Sequence, residues 1–193
     1  GKRFLIKGHE REERFGLDEP KFWVKKAVDM ETGERKIIKL SFFESFETRI
    51  GQVRIPCFRH PDKEAQVLAL VKDHPLFMHG NAYHDEKGNN VRVLDIVNGK
   101  NFYQYINAID IDHQRYFKEM LPGILNNLMA AFEALRLLHK NGLKHGDIRN
   151  DHIIIESTTG NYVWIDFDYD FDSVENPFSL DLIGLGNILT YAI

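Results

Sequence analysis

The 193 residues are 43% hydrophobic and 12% aromatic, with 14 Phe, enough apolar surface to offset the entropy of folding; this excludes a disordered chain and suits one domain or two small lobes. A net charge of -4 argues against a general nucleic-acid surface and leaves small phosphorylated ligands open. The single cysteine, Cys57, cannot form an internal disulfide, no basic segment with an apolar run opens the chain, and the apolar run 180–193 contains Asp181 and falls short of the roughly 20 residues a bilayer requires, so a cytoplasmic protein without membrane contact is the default.

Residues 1–20 are charged and irregular, and the mixed-sign run Glu10-Arg11-Glu12-Glu13-Arg14 reads as a solvated arm. A β-hairpin follows, with strands at 22–28 and 35–40 around the turn Asp29-Met30-Glu31-Thr32-Gly33. The stretch 41–57 is rich in aromatics and charges and carries no assignable period. After Pro61, residues 62–72 have the apolar spacing of a helix. Strands are predicted at 77–84 and 90–97, so that five strands in all form an antiparallel sheet with one helix. A short helix at 102–106 precedes a long one at 116–141, striped by Ile124, Leu128, Ala131, Leu135 and Leu138 and stopped at Gly142. Leu143 then opens a strand that presents His145-Gly146-Asp147-Ile148-Arg149-Asn150-Asp151-His152. Two short apolar strands, around Ile153-Ile154-Ile155 and Tyr162-Val163-Trp164-Ile165, lead to Asp166-Phe167-Asp168.

A loop with one Asp, two short strands and a second Asp bring two carboxylates to one spot, an arrangement suited to a metal and a phosphate. Phosphoryl transfer asks a protein for in-line positioning, neutralised oxygens and a carboxylate near the attacking hydroxyl. The acid-aromatic alternation from Asp166 to Asp172, as a strand, would gather four carboxylates on one side, where they repel without a cation or solvent between them. Of these, Asp170 and Asp172 are expected to be solvated. No EF-hand spacing, H-E-x-x-H, Cys-rich zinc set, G-x-S-x-G or Walker motif competes.

These motifs resemble the catalytic loop and metal motif of the protein-kinase-like superfamily, H-R-D-L-x-x-x-N followed by D-F-G: His145, Asp147 and Asp166 match, and Gly146, His152 and Asp168 depart. Lys26-Ala27-Val28-Asp29, Thr32-Gly33-Glu34 and Lys36-Ile37-Ile38-Lys39 are similar to the second and third kinase strands. The resemblance implies an α+β, two-lobe protein-kinase-like fold. Its N-lobe, 1–97, has an antiparallel sheet plus one helix; its C-lobe, 98–193, is mainly helical and truncated after the helix F equivalent, whose Asp181 would anchor the catalytic loop.

The resemblance further implies ATP with Mg²⁺, or Mn²⁺, and a hydroxyl acceptor, on a Ser/Thr protein ahead of a small molecule. Asp147 would orient that hydroxyl, Arg149 support the transferring phosphoryl and His145 support the loop. Lys39 would hold phosphates with Glu64 as its partner, Glu44 and Glu47 being rivals, and the backbone at Asp95 and Val97 would hold adenine. Asp166 would bind the metal, with Asp168 as a second ligand and His152 at the position of a second metal. Gly146 gives H-G-D, similar to aminoglycoside-type kinases, and implies no switch through an activation-loop phosphate. None of the three glycines of the phosphate loop stands before Val24; Gly16 lies one residue outside, and Asp18 and Glu19 would repel phosphate. Weak nucleotide affinity, and a pseudokinase binding module as the rival function, follow from that.

Overall fold

The computed structural model describes residues 3–14 and 17–193, and the side chains of all of these except 12–14 and 17–19. The expectations for Gly16 and for the side chains of Asp18 and Glu19 lie outside the described residues. The charged N-terminal stretch is no solvated arm: Phe4–Arg14 forms β1, antiparallel to β2 at Leu17–Asp29. Cross-strand complementarity explains this. Glu10 lies opposite Lys21 and ion-pairs with Lys26 at 3.2 Å, Arg3 forks onto Asp29 at 3.0 and 2.8 Å, and Phe4 packs on Ala27, Ile38 and Val93.

After β3 (Arg35–Lys39), the stretch without a period folds as a hairpin of β4 (Ser45–Ile50) and β5 (Val53–Arg59). Helix α1 (Pro61–Leu70) follows, its first turn capped by the His60 ring, which accepts from the Lys63 amide at 3.1 Å. Strands β6 (Gly80–His84) and β7 (Asn90–Asp95) complete an antiparallel sheet in the order β1-β2-β3-β7-β6. Phe77 and Met78, expected within this hairpin, instead touch the Trp164 backbone, to which the Met78 amide donates at 2.8 Å.

The C-terminal part is mainly helical. Strand β8 (Gly99–Asn101) leads into α2 (Phe102–Asn107), closed by a capping box of Asn101 and Gln104. The predicted long helix is divided: α3 (His113–Arg115) and a wide turn at Tyr116–Met120 precede α4 (Leu121–Lys140). Pro122 is the cause, since it has no N–H to give and its ring crowds the carbonyl four residues back. The predicted stripe Ile124, Leu128, Ala131, Leu135 and Leu138 is buried. Helix α4 stops where Gly142 takes φ 71°, its amide donating to His139 and that of Leu143 to Leu138.

Residues 143–149 run without strand pairing, so Leu143 opens no strand; Asp181, described below, holds this loop instead. Strands β9 (Ile153–Glu156) and β10 (Tyr162–Trp164) form a sheet with β8. Strand β11 (Tyr169–Phe171) pairs with β5, and α5 (Ser179–Ala192) follows. One apolar core joins α1, the first sheet, α4 and β10 through Val67, Leu68, Leu94, Leu128, Leu135 and Trp164. Among the described residues no helix is long and apolar enough to cross a membrane.

Candidate active site

Lys39, at the end of β3, does not project to solvent; it is 6% exposed, and its ammonium donates to Glu64 Oε1 at 2.9 Å. The expected ion pair is therefore present. Glu64 Oε2 accepts from Arg92 Nε at 2.8 Å, while the rival Glu44 is engaged by Arg59 at 3.1 Å and Glu47 lies near Arg49 and Arg54. Lys39 also donates to Asp166 Oδ1 and lies 3.5 Å from Asp168 Oδ2. Burial alone would lower its pKa, but attraction to Asp166, Asp168 and Glu64 outweighs this and holds the ammonium above its ordinary value.

Asp166 adopts φ 68°, the one non-glycine residue with positive φ among those described. This kink breaks the acid-aromatic alternation, so the four carboxylates do not share one side and the strand starts only at Tyr169. Burial favours a protonated Asp166, yet Lys39 holds it well below the carboxylate range. Asp168 is buried and turned towards Arg59, whose Nη1 donates to Oδ2 at 2.7 Å; burial raises its pKa against the pull of Lys39. The expected second metal ligand is thus enclosed in an ion-pair network. Asp170, expected to be solvated, is half-buried and ion-paired with Lys144 at 3.0 Å, whereas Asp172 is exposed.

The loop carrying Asp147 hangs from Asp181, whose carboxylate accepts from the amides of His145 and Gly146 at 2.8 and 2.9 Å and from His139 Nε2 at 2.9 Å. His145 is fully buried with its ring edge-on to Trp164 and Phe167, and burial lowers its imidazole to about 3. It is neutral at ordinary pH, and its Nδ1 accepts from the Asp147 amide at 3.4 Å. Burial raises the Asp147 carboxyl, which lies 3.5 Å from His152 Nδ1 and 4.0 Å from Arg149 Nε. His152 Nδ1 donates to the Asp147 carbonyl at 2.7 Å; in that tautomer Nε2 can accept from Arg149 at 3.2 Å, and it lies 3.7 Å from Asp166 Oδ2. Arg149, half exposed, forks onto Asp151 at 3.1 and 2.8 Å. The structure therefore brings Lys39, Glu64, Asp166, His152 and Asp147 together.

Asp95 and Val97 line an apolar cavity of about 470 Å³ with Ala27, Ile37, Ile154 and Ile165. The Asp95 amide donates to the His79 carbonyl at 2.9 Å, and its side chain accepts from Lys36 at 2.7 Å. A smaller cavity of about 210 Å³, sharing Ile37, Met78 and Ile165, reaches inward to Lys39 and Asp166 and is also lined by Lys21 and Glu10. Among the described residues no group of three or more His, Cys, Asp or Glu side chains is arranged to hold a metal ion.

Sequence reasoning missed three buried cations, Arg59, Lys63 and Arg92. Lys63 Nζ donates to the carbonyls of His145, at 2.7 Å, and Tyr169, and burial lowers the ammonium to about 8. Arg59 stacks on the Tyr169 ring, 4.1 Å from its centroid. Ile55 and Cys57, four and two residues before Arg59, are the signal that could have placed it on a buried side, and no signal distinguished Lys63 from an exposed helical lysine.

No family model and no curated protein matches the sequence. Solved structures do: the kinase PK-1 of Cydia pomonella granulovirus aligns with a TM-score of 0.62 and 12% identity over 99% of this chain and 70% of that one. Rad53 1-466, in complex with AMP-PNP, aligns with a TM-score of 0.61 and 16% identity over 100% of this chain and 48% of that one. The chain has a protein-kinase-like fold, with antiparallel sheets in its N-terminal region and a helical C-terminal part.

Proposed function

We propose that this protein is an ATP-dependent phosphotransferase that moves the γ-phosphoryl group to a hydroxyl, most readily that of a Ser or Thr in a protein. The observation that carries the reading is the buried Lys39–Glu64 pair touching Asp166 at the inner end of an apolar cleft. The AMP-PNP held by Rad53, a protein of the same fold, supports a nucleotide as ligand. In this reading adenine enters the larger cavity beside the Asp95–Val97 backbone, between an N-lobe at 1–97 and a C-lobe at 98–193. Lys39, with Lys21, faces the phosphates.

Asp147, close to but not bonded by Arg149, orients the acceptor hydroxyl and takes its proton as the new bond forms. Arg149 must leave Asp151 to support the transferring phosphoryl, and its exposure permits that. A Mg²⁺ ion would be held through the ionised Asp166 carboxylate, with His152 beside it. Mn²⁺ suits the imidazole better. When bound, the metal neutralises charge on the phosphate oxygens. A cytoplasmic location suits these substrates.

A second reading, a nucleotide-binding pseudokinase, is favoured by the Glu10 carboxylate in the same cavity as Lys39. Radiolabelled ATP with Mg²⁺ or Mn²⁺ and a mixture of protein and small-molecule hydroxyl acceptors, beside a thermal-shift titration with ATP, separates them. Label transfer that is lost in Asp166→Asn is expected; an ATP-dependent thermal shift without transfer would establish the second reading, and no shift at all would overturn both.

A further inference from the structure

Gly146 and Tyr169 meet closely. Gly146 has φ 88°, and a Cβ placed on it would lie 1.8 Å from the Tyr169 carbonyl oxygen and 3.1 Å from the Lys63 ammonium. No side chain can extend from position 146 in this arrangement. The charge in that space comes instead from the opposite direction, from Lys63 on α1, one residue before Glu64. Lys63 is 3% exposed, and its ammonium bonds one carbonyl on the Asp147 loop, His145, and one on the strand after Asp168, Tyr169.

A second grip closes on the same residue. Arg59, just ahead of α1, donates to the Tyr169 hydroxyl at 2.7 Å and to Asp168 at 2.7 Å, the Tyr169 hydroxyl donates to Glu44 at 2.7 Å, and the Tyr169 backbone lies opposite Arg59 in the β5–β11 ladder. Tyr169 is held at its carbonyl by one cation and at its ring by another. Burying the ammonium costs desolvation, which the two carbonyls and the attraction of Asp170, Asp181, Asp168 and Glu64 offset in part. What the ammonium does supply is direction: two hydrogen bonds that fix α1 against two other segments.

We propose that Lys63 is a positioning residue, whose bonds to His145 and Tyr169 hold α1, the Asp147 loop and the Asp166–Asp168 segment in the one arrangement where Lys39, Glu64, Asp166 and Asp147 converge. What is being positioned rests on the phosphotransferase reading; the clamp itself does not. Lys63→Met, Lys63→Arg and wild type are compared by amide hydrogen exchange, thermal unfolding and steady-state kinetics. In Lys63→Met the protein stays folded, with a melting temperature lowered because two buried carbonyls lose their donor. Exchange in 61–70 and 145–147 accelerates at least tenfold, kcat falls at least tenfold with KM for ATP within threefold, and Lys63→Arg restores part of both. Unchanged exchange in Lys63→Met would overturn the proposal, as would a kinetic loss wholly in KM. Lys63→Gln is the second neutral variant; failure of both neutral variants to fold would make Lys63 a requirement of folding and overturn its positioning role. Should wild type transfer no phosphate, the functional reading fails while the exchange measurement still decides the clamp.

Discussion

The two halves of the site solve charge differently. On the sheet side, Lys39, Arg59 and Arg92 are set against Glu64, Asp166 and Asp168, three cations and three carboxylates interlocked, with all but Asp166 almost wholly buried. On the loop side, Asp147, Arg149, Asp151 and His152 form short local pairs, with Arg149 44% exposed. In the first, every charge is balanced by its neighbours and water offers no substitute; in the second, solvent screens the Arg149–Asp151 pair, 44% and 46% exposed. Mutations on the sheet side should therefore disturb the fold, and those on the loop side chiefly the chemistry.

That contrast can be broken in four ways. Glu64→Gln leaves Lys39 and Arg92 without their shared carboxylate, and urea denaturation should show a loss of about 3–5 kcal/mol; a loss below about 1 kcal/mol would mean that water reaches this network. Asp147→Asn should lower turnover by roughly 10²–10⁴-fold, the usual share of a positioned base, with unfolding free energy changed by less than about 1 kcal/mol. Lys21→Met should weaken ATP binding by about tenfold, near 1.4 kcal/mol, read by isothermal titration, and leave the melting temperature in place. The smallest effect belongs to His152→Asn: Mg²⁺-supported turnover is kept or raised and any preference for Mn²⁺ declines, whereas lost turnover with ATP binding intact would give the imidazole a function of its own.

The parts legible in the sequence were those where chemistry restricts the residue type at a short spacing. His145, Asp147, Asp166 and Asp181 could be placed, as could Lys39 with Glu64 and the stripe of α4. What escaped was chemistry supplied across strands. β1 looks like a solvated run because its charges find partners on β2 rather than in a period of its own, as Glu10 does with Lys26. β5 was hidden by Pro56, which argues against a strand, and by Arg59, a charge on the buried side of the alternation Ile55, Cys57, Arg59. The kink at Asp166 could not be anticipated either, since an alternating acid-aromatic run has the period of a continuous strand.

The β5–β11 ladder has a mechanical consequence. The chain crosses between the sheet region and the helical part at 95–99, and a lone crossing would let the two swing apart like a clam shell. Here Tyr169, Asp170 and Phe171 are laced to Arg59, Phe58 and Cys57 as a second tether at a different place on the molecule. With the Phe77–Trp164 contact and the shared apolar core, the ladder restrains the two regions, and a wide gape requires it to unzip. On the proposed function, a shortened β1–β2 hairpin should release ATP faster in a stopped-flow measurement, with amide exchange at 145–147 unchanged.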